Sequence, residues 1–274
     1  MPRTAVHLLT YMFPMGHWGL IRQLVAREIA LRYRQSWLGT AWLLLTPMLM
    51  LAVYTVVFRH VLNLRWPGSS GTDGGDLAFA ANLFSGLLVF NFFSECVGRA
   101  PRLVLDQPHL VKKVVFPLQV LAWTNLLQAL VGLVVSLGLL VLARLIDGAE
   151  LAPAMLTLPL IWLPLAMLVL GLGWILSAVG TYIRDIGQVV GLATSVLLFV
   201  SPIFFPATAL PAGWQPWLQL NPLTTVIEQT RQVVMVGAWP DWGALGRLTL
   251  VCTALAGAGA AFFHRVRAGF ADVV

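Results

Sequence analysis

Residues 20–47 read LIRQLVAREIALRYRQSWLGTAWLLLTP, and the fold follows from how this stretch divides. At 100° per residue Leu20, Ile21, Leu24, Val25, Ile29 and Leu31 fall within one half-turn of a helix, while Arg22, Gln23, Arg27, Tyr33 and Arg34 fill the other. The first part is therefore an amphipathic helix. Glu28 and Arg32 intrude on the apolar arc, but they stand i,i+4 with the acid N-terminal, the favourable order for an ion pair, so they are expected to satisfy one another. An Arg-rich face followed by Trp37 suits a helix lying among lipid headgroups, and Leu38-Gly39 gives a flexible joint into an apolar segment. At this elbow the chain turns from the membrane surface into the membrane.

Of 274 residues, 59% are hydrophobic and 10% charged, and the mean hydropathy is +0.84, values that exclude a soluble domain of this size. The composition implies a polytopic, all-α membrane protein. An isoelectric point near 10.0 would suit a nucleic-acid binder, but the arginines cluster beside apolar spans, so topology explains them and no nucleic acid is expected as a partner. Cys96 and Cys252 lie in or beside apolar segments with no CxxC pairing and read as packed thiols. Residues 1–19 lack a basic region followed by an uninterrupted apolar core, so no cleavable signal peptide is expected.

A hydrocarbon layer of ~30 Å needs about 20 apolar residues per helix, and six segments qualify: 39–62, 77–97, 116–143, 152–180, 187–205 and 243–263. With the N-terminus inside, the cytoplasmic segments hold twelve of the 17 basic residues: Arg3, Arg22, Arg27, Arg32, Arg34, Arg99, Arg102, Lys112, Lys113, Arg184, Arg265 and Arg267. That asymmetry puts both termini in the cytoplasm. Residues 1–36 are then a cytoplasmic segment with its interfacial helix, and 37–274 a six-helix membrane domain. Residues 63–76 are rich in Gly and Ser and read as a surface connection, whereas 98–115 mix charges with leucines and valines like a short amphipathic helix. Pro159 and Pro164 predict kinks in the fourth span. Beyond the fifth, the pieces between Phe205 and Trp239 are apolar and aromatic yet broken too often by proline to cross, which predicts two short re-entrant or interfacial helices.

Six motifs in register along the chain resemble the membrane subunits of ABC-2 type exporters of O-antigen, capsule and teichoic-acid polymers. They are Arg32-Tyr33-x-x-Ser36-x-Leu38-Gly39-x-x-Trp42 with Pro47; Leu110-Val-Lys-Lys-Val-Val-Phe-Pro117; Tyr182-x-Arg184-Asp185-Ile186-x-Gln188; Ser201-Pro-Ile-Phe-Phe-Pro206; Asn221-Pro222 with Glu228, Arg231, Gly237 and Pro240; and Gly269-Phe-Ala-Asp-Val-Val274. The first external loop departs from the family by being longer and richer in glycine. The resemblance implies a homodimer in the bacterial inner membrane, paired with two copies of a separate ATP-binding subunit, exporting a lipid-linked polysaccharide of the O-antigen or capsule type. A drug, lipid or other small hydrophobic cargo on the same scaffold is the alternative. The residues agree on the energy source: there is no G-x-x-x-x-G-K-[ST], and the only lysines, Lys112 and Lys113, follow no such loop. ATP and magnesium therefore belong to the partner, and this chain is expected to carry no cofactor of its own. No internal repeat relates one half to the other, so a two-sided pore needs two copies.

Candidate residues follow from that frame. Arg99, Arg102, Asp106, Lys112 and Lys113 in one cytoplasmic loop, with Tyr182, Arg184 and Asp185 in the other and Arg27 and Arg34 on the interfacial helix, are candidates for contact with the ATPase; plain positive-inside anchoring and headgroup binding are the competing explanations. Arg32, Arg34 and Arg99 are placed to meet a lipid pyrophosphate as it enters. Tyr54, Phe58, Phe90, Phe92, Phe93, Phe204 and Phe205 can offer flat apolar faces to sugar rings, although an aromatic in a membrane helix is more often core or lipid-facing. Thr124, Asn125 and Gln128 share one face of the third span, for helix-to-helix hydrogen bonds or for lining a channel. The acids Glu95 and Glu228 stand singly and read as snorkelling or hydrogen-bonded carboxylates. Catalysis has no basis: the five histidines lack metal-ligand spacing, neither G-x-S-x-G nor H-E-x-x-H occurs, and Ser85-Gly86 lacks the surroundings of an intramembrane protease.

Overall fold

The computed structural model describes residues 12, 14–34, 37–57, 76–111, 116–207, 211 and 213–273, and among them there are helices and turns but no strand. The elements are α1 (Trp18–Arg34), α2 (Trp42–Thr55), α3 (Asp76–Arg99), α4 (Pro108–Val111), α5 (Val120–Ile146), α6 (Leu158–Tyr182), α7 (Ile186–Val200), α8 (Gln215–Leu220), α9 (Pro222–Arg231), α10 (Trp242–Val266) and α11 (Phe270–Val273). Among the described residues four stretches are long and apolar enough to cross a membrane: Ala78–Arg102, Val120–Ile146, Pro153–Tyr182 and Trp242–Gly269. This is a multi-pass membrane protein. The first and fifth expected spans are represented by shorter apolar helices, Gly39–Thr55 and Ile186–Val200.

The elbow lies where the sequence puts it. Gly39 has φ +51°, a backbone region that favours glycine, and a 3-10 turn then leads into α2. α7 ends earlier than expected, at Val200 rather than at residue 205. Ser201 precedes Pro202 and is extended (φ −79°, ψ 149°), because the proline ring disfavours a helical residue before it. A second correction concerns Pro159: it lies in the first turn of α6, where its missing N–H breaks no bond, so only Pro164 interrupts that helix from inside. A third concerns the stretch expected as one amphipathic helix over 98–115: across its described part, 98–111, a 3-10 turn at Ala100–Arg102 and the four-residue α4 stand instead, Pro101 and Pro108 each removing a helical donor.

The most extensive packing between described helices joins α6 to α10. A Cβ on Gly171 would lie 2.9 Å from the Ala256 Cα, and one on Gly259 would lie 2.5 Å from the Gly171 carbonyl oxygen. Small residues here let two backbones touch, the source of attraction between helices that water does not squeeze together. Trp174 and Phe263 fill the space beside this contact, fully buried. Since α3, α6 and α10 end where α5 and α7 begin, one end of the bundle gathers α1 with the α3–α5 and α6–α7 connections. The other end gathers 201–241. Exposed tryptophans mark both: Trp18, Trp37 and Trp42 at the first, Trp214, Trp217, Trp239 and Trp242 at the second. Paired aromatic belts of this kind sit at the two faces of a membrane.

Candidate functional site

At the α1 end the turn after α3 is pressed against the last turn of α6. Gly180 makes this possible, for a Cβ there would fall 2.2 Å from the Pro101 carbonyl oxygen. With Pro101 buried, Arg102 and Asp106 project outward and face Arg184 and Asp185 from the α6–α7 turn. Between them, closed on the remaining sides by α1 and the first half of α5, lies a cleft of about 640 Å³. Asp185 stands at the N-cap of α7 without capping it, so its exposed carboxylate is not spent on the helix. Arg99 crosses the inner wall: its Nη1 donates to Gln128 Oε1 at 2.6 Å, and its Nη2 lies 3.9 Å from Glu28 Oε2. Gln107 donates to Glu28 at 3.2 Å, and Asn125 donates to the Cys96 carbonyl at 2.8 Å.

Two further cavities continue from the cleft. One of about 470 Å³ shares Glu28, Arg99 and Gln128 with it and adds Arg32 and Leu31. The next, about 440 Å³, shares Arg32, Leu43 and Gln128 and runs between α2, α3 and α5 as far as Tyr54 and Phe92. Gln128 lines all three, so they form one groove with a charged mouth and an aromatic inner end. Arg32 donates to Glu95 across the groove. The ion pair expected between Glu28 and Arg32 is thus replaced by pairs between helices: Arg32 of α1 meets Glu95 of α3, and Arg99 of α3 faces Glu28 of α1. At the inner end Tyr54 packs on Phe204 with ring centroids 5.6 Å apart.

A model of the ABC-2 type transporter family matches residues 19–235, a range that includes every residue lining the cleft and groove. The chain belongs to that family. This ABC-2 permease is 28% identical over 258 residues to the O-antigen export system permease protein RfbA of Myxococcus xanthus, covering 93% of this chain and 95% of that one. It is 26% identical over 231 residues to the polysialic acid transport protein KpsM of Escherichia coli, 84% of this chain and 86% of the relative. A third relative, RfbA of Klebsiella pneumoniae, is 20% identical over 249 residues, 90% and 92% of the two chains. As an ABC-2 membrane subunit the chain is a transporter component and not an enzyme in itself.

Of the residues picked out as ATPase contacts, Arg99, Arg102, Asp106, Arg184 and Asp185 come together in the permease's cleft. Arg27 is exposed on α1, outside that lining. Lys112 and Lys113 lie outside the described residues, as does the side chain of Arg34. Tyr182 faces elsewhere: its hydroxyl donates to the Val266 carbonyl at 3.3 Å and its ring packs 6.0 Å from Phe270, tying down the C-terminal turn. Arg32 and Arg99, expected to meet a pyrophosphate, both line the middle cavity. Of the aromatics, Tyr54 and Phe92 line the inner cavity, Phe204 packs on Tyr54, and Phe205 is half-buried. Phe90 and Phe93 are buried in the core, and Phe58 lies outside the described residues. Asn125 and Gln128 do both things their face allowed, bonding to α3 and lining a cavity. Sequence reasoning missed Gln107 and the role of Glu95. Glu95 and Arg99 stand four apart on one face of α3, a spacing that could have marked both as facing α1.

Proposed function

We propose that this chain is the membrane subunit of an ATP-driven exporter that moves a lipid-linked polysaccharide across the bacterial inner membrane, as a homodimer with two separate ATP-binding subunits. In this reading α1 lies among headgroups, and α2 and α7 with their neighbouring residues complete six spans. α8 and α9 form short re-entrant pieces on the outer side, and both termini are cytoplasmic. Eight of the eleven described arginine side chains stand at the cleft end, against Arg144, Arg231 and Arg247 elsewhere, which supports a cytoplasmic cleft.

The observation that carries the reading is the cleft itself. Two connections about eighty residues apart in sequence bring exposed Arg102, Asp106, Arg184 and Asp185 to one concave surface at the ends of α3, α6 and α7. A motor docked there would push three helices at once. ATP and its magnesium belong to that motor. The groove behind the cleft supplies the second requirement: Arg32 and Arg99 offer planar, bidentate donors to a pyrophosphate, while Tyr54, Phe92 and Phe204 offer apolar faces to sugar rings. The relatives' export of O-antigen and transport of polysialic acid support the same class of cargo.

Deleting the gene tests the proposal. Surface glycan should be lost while lipid-linked polymer accumulates on the cytoplasmic side, and the intact gene supplied in trans should restore both. Unchanged glycan with altered tolerance to a small hydrophobic compound would overturn it.

A further inference from the structure

We propose that Glu95 and Glu28 are built-in occupants of two anion seats, holding the guanidinia of Arg32 and Arg99 until a lipid-borne diphosphate displaces them. This rests on the groove being the pyrophosphate's way in. The two pairs are crossed ties between the same helices, Arg32 of α1 to Glu95 of α3 and Arg99 of α3 toward Glu28 of α1. Both arginines face one cavity of about 470 Å³, a size in the range of small-ligand sites. The arginine side chains are 53% and 40% exposed and the glutamate side chains only 26% each, so the arginines are the more open partners to an incoming ligand.

Charge balance turns this arrangement into a filter. Along the cleft and groove stand four arginines, Arg32, Arg99, Arg102 and Arg184, and four acids, Glu28, Glu95, Asp106 and Asp185. The groove as it stands is therefore close to neutral, and an anion gains little until carboxylates yield their partners. A phosphodiester headgroup carries one negative charge, the same as the carboxylate it must evict. A diphosphate carries more charge and can present paired oxygens to a guanidinium fork, so it wins the exchange where the headgroup does not. The seats thus admit a lipid diphosphate from a membrane crowded with monoanionic phospholipid. Its arrival also releases both ties between α1 and α3.

The test uses the full-length chain in phosphatidylcholine nanodiscs, with farnesyl pyrophosphate as the probe and tryptophan fluorescence as the readout. Glu95→Gln should tighten farnesyl pyrophosphate about two- to fivefold, the range that corresponds to a lost, partly exposed ion pair. It should also reduce discrimination against phosphatidylglycerol supplied as competitor. Glu95→Asp, which keeps the charge but shortens the reach, should show a smaller tightening and serves if the glutamine variant folds poorly. Arg32→Gln should weaken the probe roughly tenfold, as loss of a charged hydrogen bond does. The double exchange Arg32→Glu with Glu95→Arg should keep the protein's elution profile but not its affinity. If Glu95→Gln fails to tighten binding while the double exchange restores it, the pair is only a staple and the proposal is overturned. Equal competition by phosphatidylglycerol and inorganic pyrophosphate on the unaltered protein would make the seats a headgroup site and overturn it too. Absence of any farnesyl pyrophosphate binding would overturn the reading of the groove itself, whereas binding that Arg32→Gln abolishes and Glu95→Gln leaves unmoved would overturn the gate alone.

Discussion

An alanine at position 180 places a methyl group where there is no room for one. Its Cβ would fall 2.2 Å from the Pro101 carbonyl oxygen and 2.8 Å from the carbonyl carbon and the Cα of the same residue. All three are backbone atoms, so no change of rotamer relieves the clash. Ordinary contact begins near 3.4 Å, and the turn at Ala100–Arg102 must part from α6 by about 1.2 Å to reach it. Overpacking costs roughly 1–3 kcal/mol, and the rigidity of the obstacle puts this case near ~3 kcal/mol. Better helix propensity returns at most ~1 kcal/mol, leaving a net loss of ~2 kcal/mol. At about 2–4 °C per kcal/mol, the melting midpoint of the purified chain should fall by about 4–8 °C. The same displacement moves Arg102 and Asp106 relative to Arg184 and Asp185, so stimulation of the partner's ATP turnover should fall as well, measured at a temperature where the variant remains folded. Gly138→Ala is the control: its Cβ meets nothing within 4 Å, so propensity alone acts and stability should hold or rise. A Gly180→Ala protein that melts with the unaltered one and stimulates ATP turnover equally would refute the contact and the coupling argued from it.

Asp185→Arg should leave stability and membrane insertion intact, because the carboxylate caps nothing, while lowering permease-stimulated ATP turnover roughly fivefold or more through like-charge repulsion at the docking surface; unchanged turnover would remove Asp185 from that surface. Arg231→Met should destabilise the chain by roughly 2–4 kcal/mol. The buried guanidinium donates to the carbonyls of Asn82, Pro202 and Ile203, and its loss strands those of Pro202 and Ile203, while Asn82 keeps the Ser85 hydroxyl. Arg231→Lys should recover only part of this in a thermal melt, since one ammonium cannot span three acceptors on two segments; a methionine variant as stable as the unaltered protein would exclude the clamp.

Hydropathy was enough to find α3, α5, α6 and α10, because lipid selects for uninterrupted apolar length and these helices have it. The end of α7 was written in the sequence as well, in the proline after Ser201, but local chemistry was outweighed there by the run of apolar residues through Phe205. Charge partners were not legible in the same way. Glu28 and Arg32 satisfy the spacing rule for a pair, yet Glu95 and Arg99, more than sixty residues away, compete for the same groups, and spacing along one helix cannot rank a partner on another. Tyr182 illustrates the cost of reading a motif as a unit. It is the last residue of α6, and Ile183 after it is extended (φ −121°, ψ 99°), so the chain changes direction between Tyr182 and Arg184 and sends their side chains to different neighbours. The Arg231 clamp lay furthest out of reach, since its acceptors are backbone carbonyls, which every residue has and no sequence marks.

α3 connects these separate features mechanically. Its last turn carries Arg99 at the cleft and, four residues or ~6 Å earlier, Glu95 in the groove. Thirteen residues before that, ~20 Å along the same axis, the Asn82 carbonyl is held by Arg231 together with the turn that follows α7. A helix packed on α5 and α6 along this length moves as a rod and does not compress. If the cleft is where a motor pushes, a displacement applied at Arg102 and Asp106 reaches the Arg32–Glu95 tie and the Arg231 clamp without further parts, so opening the groove to cargo and loosening the far end are two readings of one motion. The order of events then depends on which tie yields first. Arg32–Glu95 is a partly exposed pair that a charged ligand can replace, whereas the Arg231 guanidinium is buried and spread over three backbone carbonyls on two segments, which no single ligand replaces. The groove end should therefore open before the far end, which is the sequence the proposed export needs.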